Sequence, residues 1–464
     1  MRRAGRFSHD PRRPLLALVL AGCSMQPAYN RPATNVPPAW PTGDAYLRQS
    51  EAALPEYQWR SVFTDPRLQT VIADALSNNQ DVARAAANIA LARSQYQVQR
   101  AERLPSLDAG VGLTRSDNGS GASTQARAEL AVTGYEIDLF GRVKSLTDAA
   151  KNRYLASESA GRAVKLVLVA DVADAWLNYG ADTSLLALAK DTATAARESR
   201  RIAELRYKGG IAPLSDLRQA EIALTTAEAD VANQTTLVAQ DLNALRLLVG
   251  NEIAAENLPR SIDDATGQIA EVSAGLSSEV LLRRPDVVEA EWQLRAANAE
   301  IGAARAALFP RISLTGILGL ASNALGGLFS GGNFTWSAGA NAGYSIFSGG
   351  AGKANVRVSE AQRDAALAGY RKAIQTAFAD VADALARRGT IDAQLAAARQ
   401  GSFAAGDNLR LAELRYRGGV DNYLQELTAR LASYNAARTL VRTKVVAASN
   451  RVALYRALGG DGSL

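Results

Sequence analysis

The sequence predicts a mostly helical α+β fold made by internal duplication, and three observations carry that prediction. The octapeptide AELRYKGG at 203–210 returns as AELRYRGG at 412–419, 209 residues later. At nearly the same offset ADVADAW (170–176) returns as ADVADAL (379–385), Phe140 is matched by Phe347, and Pro105 by Pro310. Such self-similarity has to be read before any fold is assigned. Each half also holds a proline-free run of about 65 residues, which as one helix spans about 100 Å. No compact domain buries that length, so it points to a coiled coil or a helical tube. Finally, each half contains a pair of alternating segments with the period of a β-hairpin. Apolar residues make up 47% of the chain but aromatics only 6%, which suits long helices packed on small side chains.

In chain order, residues 1–22 read as a leader. Arg2, Arg3, Arg6, Arg12 and Arg13 form a basic start and Leu15 to Ala21 a short apolar core. Leu20-Ala21-Gly22-Cys23 resembles a bacterial lipobox, in which the cysteine is acylated and becomes the mature N-terminus. Cys23 is the sole cysteine in the sequence and stands where that signal needs it. Ser24 after it suggests, by the same resemblance, delivery to the outer membrane. Loss of the leader removes five arginines and Asp10, and the net charge falls from +6 to +2. Nucleic-acid binding therefore loses its electrostatic support. No stretch reaches the 18 or more apolar residues of a spanning helix, so insertion in a membrane has to use strands or the lipid.

Residues 23–60 carry six prolines (27, 32, 37, 38, 41 and 55) and are expected to form an extended arm. A first repeat, 61–250, opens with helices from Asp65-Pro66 to about 104, broken near 77–79, with Asp81 as the second N-cap. Strands follow at 106–115 and about 126–138 around a Ser/Gly/Asn-rich loop, giving a hairpin at about 106–138. A long helix occupies 141–207, stops at Gly209-Gly210 and returns over 214–249; glycine just past a periodic run is a helix stop. The second repeat, 251–464, has a helix at 286–307, strands at 311–321 and 334–346, a long helix at 352–416, Gly418-Gly419, and a return at 421–458. Segment 334–346 alternates most clearly. Phe334, Trp336, Ala338, Ala340, Ala342, Tyr344 and Ile346 lie on one face, with small or polar residues on the other, the pattern of an outer-membrane strand.

Four strands do not close a barrel, and an open sheet in hydrocarbon leaves unpaired edges. Strands of this kind in a membrane require several chains to share one barrel, each adding long helices to it. That organisation is a conduit.

The sequence resembles the TolC-type outer-membrane factors, most nearly the OprM-like lipoproteins that serve resistance-nodulation-division (RND) efflux pumps. The resemblance is carried by the lipobox, Trp59-Arg60 with Phe63-Thr64-Asp65-Pro66, Leu282-Arg283-Arg284-Pro285-Asp286-Val287, the paired RY(K/R)GG turns, and Gly349-Gly350 after Phe347. It implies a homotrimer with a 12-stranded barrel, four strands per chain, continued by a periplasmic α-helical barrel. It also implies a lipid-anchored place in the outer membrane, among its lipids, with a periplasmic adaptor (membrane fusion protein) and an inner-membrane RND pump as partners. The function implied is that of a passive exit duct for drugs or other small molecules. A TolC-like duct for type I protein secretion and a non-channel structural envelope lipoprotein are the alternatives.

By the same resemblance the RYxGG turns, with Gly209, Gly210, Gly418 and Gly419, lie at the periplasmic tip, and the helices after them narrow the pore. Asp216 and Leu424 fall at constriction positions, with Glu426 nearby. Thr428 stands where OprM-like members carry an Asp. Arg206, Tyr207, Arg415 and Tyr416 are expected to link helices in the closed state. No cofactor or metal is expected beyond the covalent lipid on Cys23. An enzyme is disfavoured: His9 is the single histidine and lies in the leader, so histidine-based nucleophile systems and the usual zinc ligand sets have no basis.

Overall fold

A computed structural model describes residues 24–33, 36–37, 40–41, 43, 45–46, 58–119, 121–271 and 278–460, with side chains of 278–280 left aside. The leader and Cys23 lie outside the described residues. The elements are α1 (Trp59–Val62), α2 (Pro66–Asn78), α3 (Gln80–Ala101), β1 (Asp108–Asp117), β2 (Ala122–Ile137), α4 (Arg142–Lys208), α5 (Leu214–Val249), α6 (Ile262–Thr266), α7 (Pro285–Ala306), β3 (Arg311–Ser322), β4 (Phe334–Gly343), α8 (Ala351–Arg417) and α9 (Tyr423–Ala457). Both long helices are single elements of 67 residues. The chain divides into two compact units: one of 1–33, 88–158 and 289–371, the other of 34–87, 159–288 and 372–464. No described helix is long and apolar enough to cross a membrane.

The first unit holds the sheet, in the order β1-β2-β3-β4 with every pairing antiparallel. The register aligns apolar residues across all four strands. Val111 pairs with Ala128, Ala128 with Leu320, and Leu320 with Phe334; Ala109, Leu130, Leu318 and Trp336 form the next row. The other face carries Arg127, Glu129, Gln125 and Thr335 at intervening positions. The expected second strand, about 126–138, alternates imperfectly because of a bulge between Val132 and Tyr135. Gly134 sits there in the left-handed region, φ 67°, and the extra residue shifts the apolar phase from even to odd numbers. Strand β4 ends at Gly343, three residues before the sequence pattern does. Its partner Arg311 is the first residue of β3, preceded by Pro310, which has no N–H to extend the ladder.

The same unit seats the N-terminal strap 24–33 on α7. Gln26 crosses Gly302 so closely that a Cβ there would meet the Gln26 Cα at 2.7 Å. Asn298 donates to the Pro27 carbonyl at 2.8 Å, and the buried Glu291 carboxylate accepts from Arg31, Tyr29 and Arg295.

The second unit is helical. Asp65 caps α2 through the Arg67 N–H. The break at 77–79 is present, but Asn79 and not Asp81 caps α3: its Oδ1 accepts from the N–H of Asp81 and Val82. Asn79 is favoured because its own amide also donates to Leu248 O. Around the core, Trp176 donates to Asn257 O at 3.0 Å and Phe63 meets Tyr455 edge to face. Arg67 joins Asp65 to Asp264, and the buried Arg284 joins Asp286, Asp380 and the Ala457 carbonyl. Asp65-Pro66-Arg67 and Arg284-Pro285-Asp286 are thus the same charged staple with its signs exchanged. Helix α9 carries six cations and only Glu426 as an acid. Five of its cations meet Glu413, Asp230, Asp263, Glu271 and Asp171, and the charge of the sixth, Arg442, acts on Asp182; each acid is carried by another part of the unit.

Candidate functional site

The paired turns lie together in the second unit and are built alike. After α4, Gly209 N–H donates to Leu205 O, Gly210 N–H to Tyr207 O and Ile211 N–H to Arg206 O. After α8, Gly418 donates to Leu414 O, Gly419 to Tyr416 O and Val420 to Arg415 O. Gly210 and Gly419 have φ of 68° and 72°, a left-handed conformation that a side chain disfavours. The duplicated sequence therefore encodes the same C-terminal helix cap twice.

Their arginines diverge. Arg415 makes a two-pronged pair with Asp421, at 2.6 and 2.9 Å, within its own turn. The first repeat has Ala212 at the position of Asp421, so Arg206 has no such local carboxylate. It crosses to the other repeat, donating to the Tyr416 carbonyl at 2.8 Å and lying 4.3 Å over the Tyr416 ring. Tyr416 is buried with Tyr423, Ala203 and Ala220, its ring 5.7 Å from that of Tyr423. Burial pushes the Tyr423 phenol up to about 12, helped by the neighbouring Glu426 carboxylate, and raises Tyr416 as well. Both tyrosines remain neutral. Tyr207, the counterpart of Tyr416, is exposed.

The return helices sort the constriction candidates by face. Leu424 and Thr428, one turn apart on α9, are both exposed, and the Thr428 hydroxyl donates to Leu424 O at 2.8 Å. Asp216, in the first turn of α5, is half-buried and close enough to the Tyr416 and Tyr423 phenols for its charge to act on both. Glu426 stands apart. It is on the opposite face of α9, buried, and accepts from Ser199 Oγ at 3.0 Å and from Arg430, which also reaches Glu413 at 2.8 Å. Its charge is spent inside the chain, binding α9 to α4 and α8. Spacing alone sets Glu426 near the constriction positions and does not show which arc of α9 is packed. The sequence signal for the part Asp421 plays is its mismatch with Ala212 at the 209 offset.

Among the described residues no group of His, Cys, Asp and Glu has the arrangement to hold a metal ion. The arrangement instead offers exposed Leu424 and Thr428 beside a half-buried carboxylate, set on a helix end that is internally fastened.

Residues 71–251 and 276–460 match the model of the outer membrane efflux protein family. The chain is 42% identical to the probable efflux pump outer membrane protein TtgC of Pseudomonas putida over 454 residues, 96% of this chain and 94% of that protein. It is 40% identical to the outer membrane protein OprJ of Pseudomonas aeruginosa, with the same coverage. Among solved structures, the open-state MtrE outer membrane channel of Neisseria gonorrhoeae superposes with a TM-score of 0.82 at 36% identity, covering 94% of this chain and 98% of that one. The CmeC outer membrane channel of Campylobacter jejuni gives 0.85 at 26% identity, covering 95% and 96%. The two matched segments fall on the two repeats, and the chain belongs to the outer membrane efflux protein family.

Proposed function

We propose that three copies of this chain share a 12-stranded barrel and form the exit duct of a tripartite efflux system, anchored by a lipid on Cys23. The observation that carries this reading is the sheet. Every residue of β1 and β4 is exposed, and in β2 only Ala126 is buried. The apolar rows through Val111, Leu130, Leu318 and Trp336 are thus exposed at those residues, with no cover among the described residues. A soluble sandwich buries one face of each sheet; this sheet buries neither, and both edge strands keep one side unpaired. Hydrocarbon satisfies the apolar face, and neighbouring copies satisfy the edges.

A periplasmic adaptor and an inner-membrane pump complete the path, by analogy with the relatives whose names describe them as outer membrane components of efflux pumps. The cargo named for one relative is toluene, and small amphiphilic molecules of that size are the class proposed here. The exposed Leu424 and the Asp216 carboxylate narrow the passage. A ring of three carboxylates favours cations. Glu426 is left out of the ring. The test is single-channel conductance of detergent-purified protein in a planar bilayer, with oligomer mass measured in parallel. Trimers with discrete cation-selective steps support the duct, and Asp216→Ala with Leu424→Ala should raise the conductance. A monomer without conductance would overturn it in favour of a structural envelope lipoprotein.

A further inference from the structure

We propose that Asp182 on α4 and Asp241 on α5 share one proton and make the α4–α5 helix pair a proton-operated joint, tight when the pair is protonated and loosened at alkaline pH. The geometry comes from the register of the two antiparallel helices. Ala203 packs with Ala220, Arg197 pairs with Glu228 at 2.9 Å, and Ala193 and Ala196 pack with Ala227. Twenty-one residues back from Ala203 is Asp182, and twenty-one forward from Ala220 is Asp241. The register therefore sets two carboxyl groups against each other, where the same register elsewhere sets apolar or opposite charges.

A second observation is independent of that register. The Asp241 Oδ2 atom is buried, and no hydrogen-bond donor among the described residues reaches it. An ionised carboxylate left so is costly, because it loses water without gaining a donor. A proton on that oxygen, donated in a hydrogen bond to Asp182, removes the cost and also the repulsion between two charges.

The surrounding charges decide where the proton sits. From α9, Arg442 acts on Asp182 and favours its ionised form; among the described residues Asp241 feels no cation and only the Asp182 carboxylate. Burial and then that neighbouring charge push the Asp241 carboxyl up to about 7. Asp182 is the acceptor and Asp241 the donor. The sign follows from proton binding. Between about pH 4 and 7 the folded pair holds a proton that the unfolded chain releases, so folding weakens as pH rises through this window. Above it both groups are ionised, and they push α4 and α5 apart along the helix pair that ends in the Gly209-Gly210 turn. This inference does not depend on the duct reading, since it concerns the helix pair alone.

The test is the melting temperature of the purified full chain at pH 5 and pH 8, for the wild type, Asp241→Asn and Asp182→Asn. Asn at 241 keeps a donor to Asp182 and cannot ionise; Asn at 182 removes the repelling charge. The wild type should lose about 2–4 °C more than either variant between the two pH values. Hydrogen exchange, corrected for its intrinsic pH dependence, should show the loss concentrated on both sides of 182 and 241. Equal pH slopes in all three proteins overturn the joint. If one variant fails to assemble, the other carries the same comparison.

Discussion

Arg206 lies 4.3 Å over the ring of Tyr416 and donates to that residue's own carbonyl at 2.8 Å, so a single guanidinium holds the second repeat by ring and backbone together. Its repeat-mate Arg415 is held by Asp421. Two arginines in octapeptides that differ only at Lys208 and Arg417 thus do different work, one across the repeats and one within a turn. Arg206→Ala should cost about 1–2 kcal/mol, a hydrogen bond plus a cation–π contact, and should raise the open probability of single channels. Arg415→Ala should leave the gating nearly unchanged. Equal effects of the two substitutions would contradict the asymmetry.

Glu426 should behave as a packing charge. Glu426→Gln leaves the partly buried Arg430 with a single remaining carboxylate, that of Glu413, and is expected to lower stability by roughly 3 kcal/mol, the usual scale for breaking a buried pair. Pairing it with Arg430→Met should recover much of the loss. Ion selectivity of open channels should not move in either protein. A selectivity change at full stability would return Glu426 to the passage.

Acid should act on the staple at the start of the second unit. Burial alone raises the Asp65 carboxyl, but the hydrogen bonds from Arg67 outweigh it and hold it below its ordinary range; Arg67 likewise holds Asp264 down. For a depressed carboxyl the stabilisation is present above the unfolded value and is lost as pH falls through the folded one. Melting temperature should therefore fall on acidification below pH 4. The fall should be shallower in Arg67→Met, which starts lower because Asp65 is left buried and without its partner.

The seat of the N-terminal strap depends on Gly302. A Cβ there would come within 2.7 Å of the Gln26 Cα and of Ser145 Oγ. In Gly302→Leu the strap must lift, and chymotrypsin should cut after Tyr29 at least tenfold faster, with helix content unchanged by circular dichroism. An unaltered cutting rate would mean the strap is held by the Glu291 cluster alone.

Periodicity made most of the fold legible. The duplicated octapeptide located both turns, and the two long helices and their return helices begin and end within two residues of the limits read from proline-free runs and glycine pairs. What it missed were effects of partners. Tyr344 and Ile346 continue the alternation of β4 but have no ladder, because Pro310 ends the neighbouring strand. The uneven pattern of β2 is a bulge at Gly134. Asp81 looked like a cap only because Asn79 had its competing bond to Leu248 hidden in another helix. At the turns the residue types were visible, but which arc of α9 faces inward was not, and Glu426 changed its part accordingly.

The uncovered sheet also sets a timetable. The helical unit carries its own core, through Trp176, Phe63, Leu68 and Tyr455, and can mature in water. The strands cannot. In the shared barrel proposed above, until they meet lipid and neighbouring copies, Phe334, Trp336, Leu113 and two open edges invite pairing with any passing strand. Newly exported chains must therefore travel with the hairpins shielded or unformed, and escorts that bind unfolded outer-membrane strands become a requirement of biogenesis. On that proposal assembly runs in one direction, helices before barrel, and the membrane is the last component to be added.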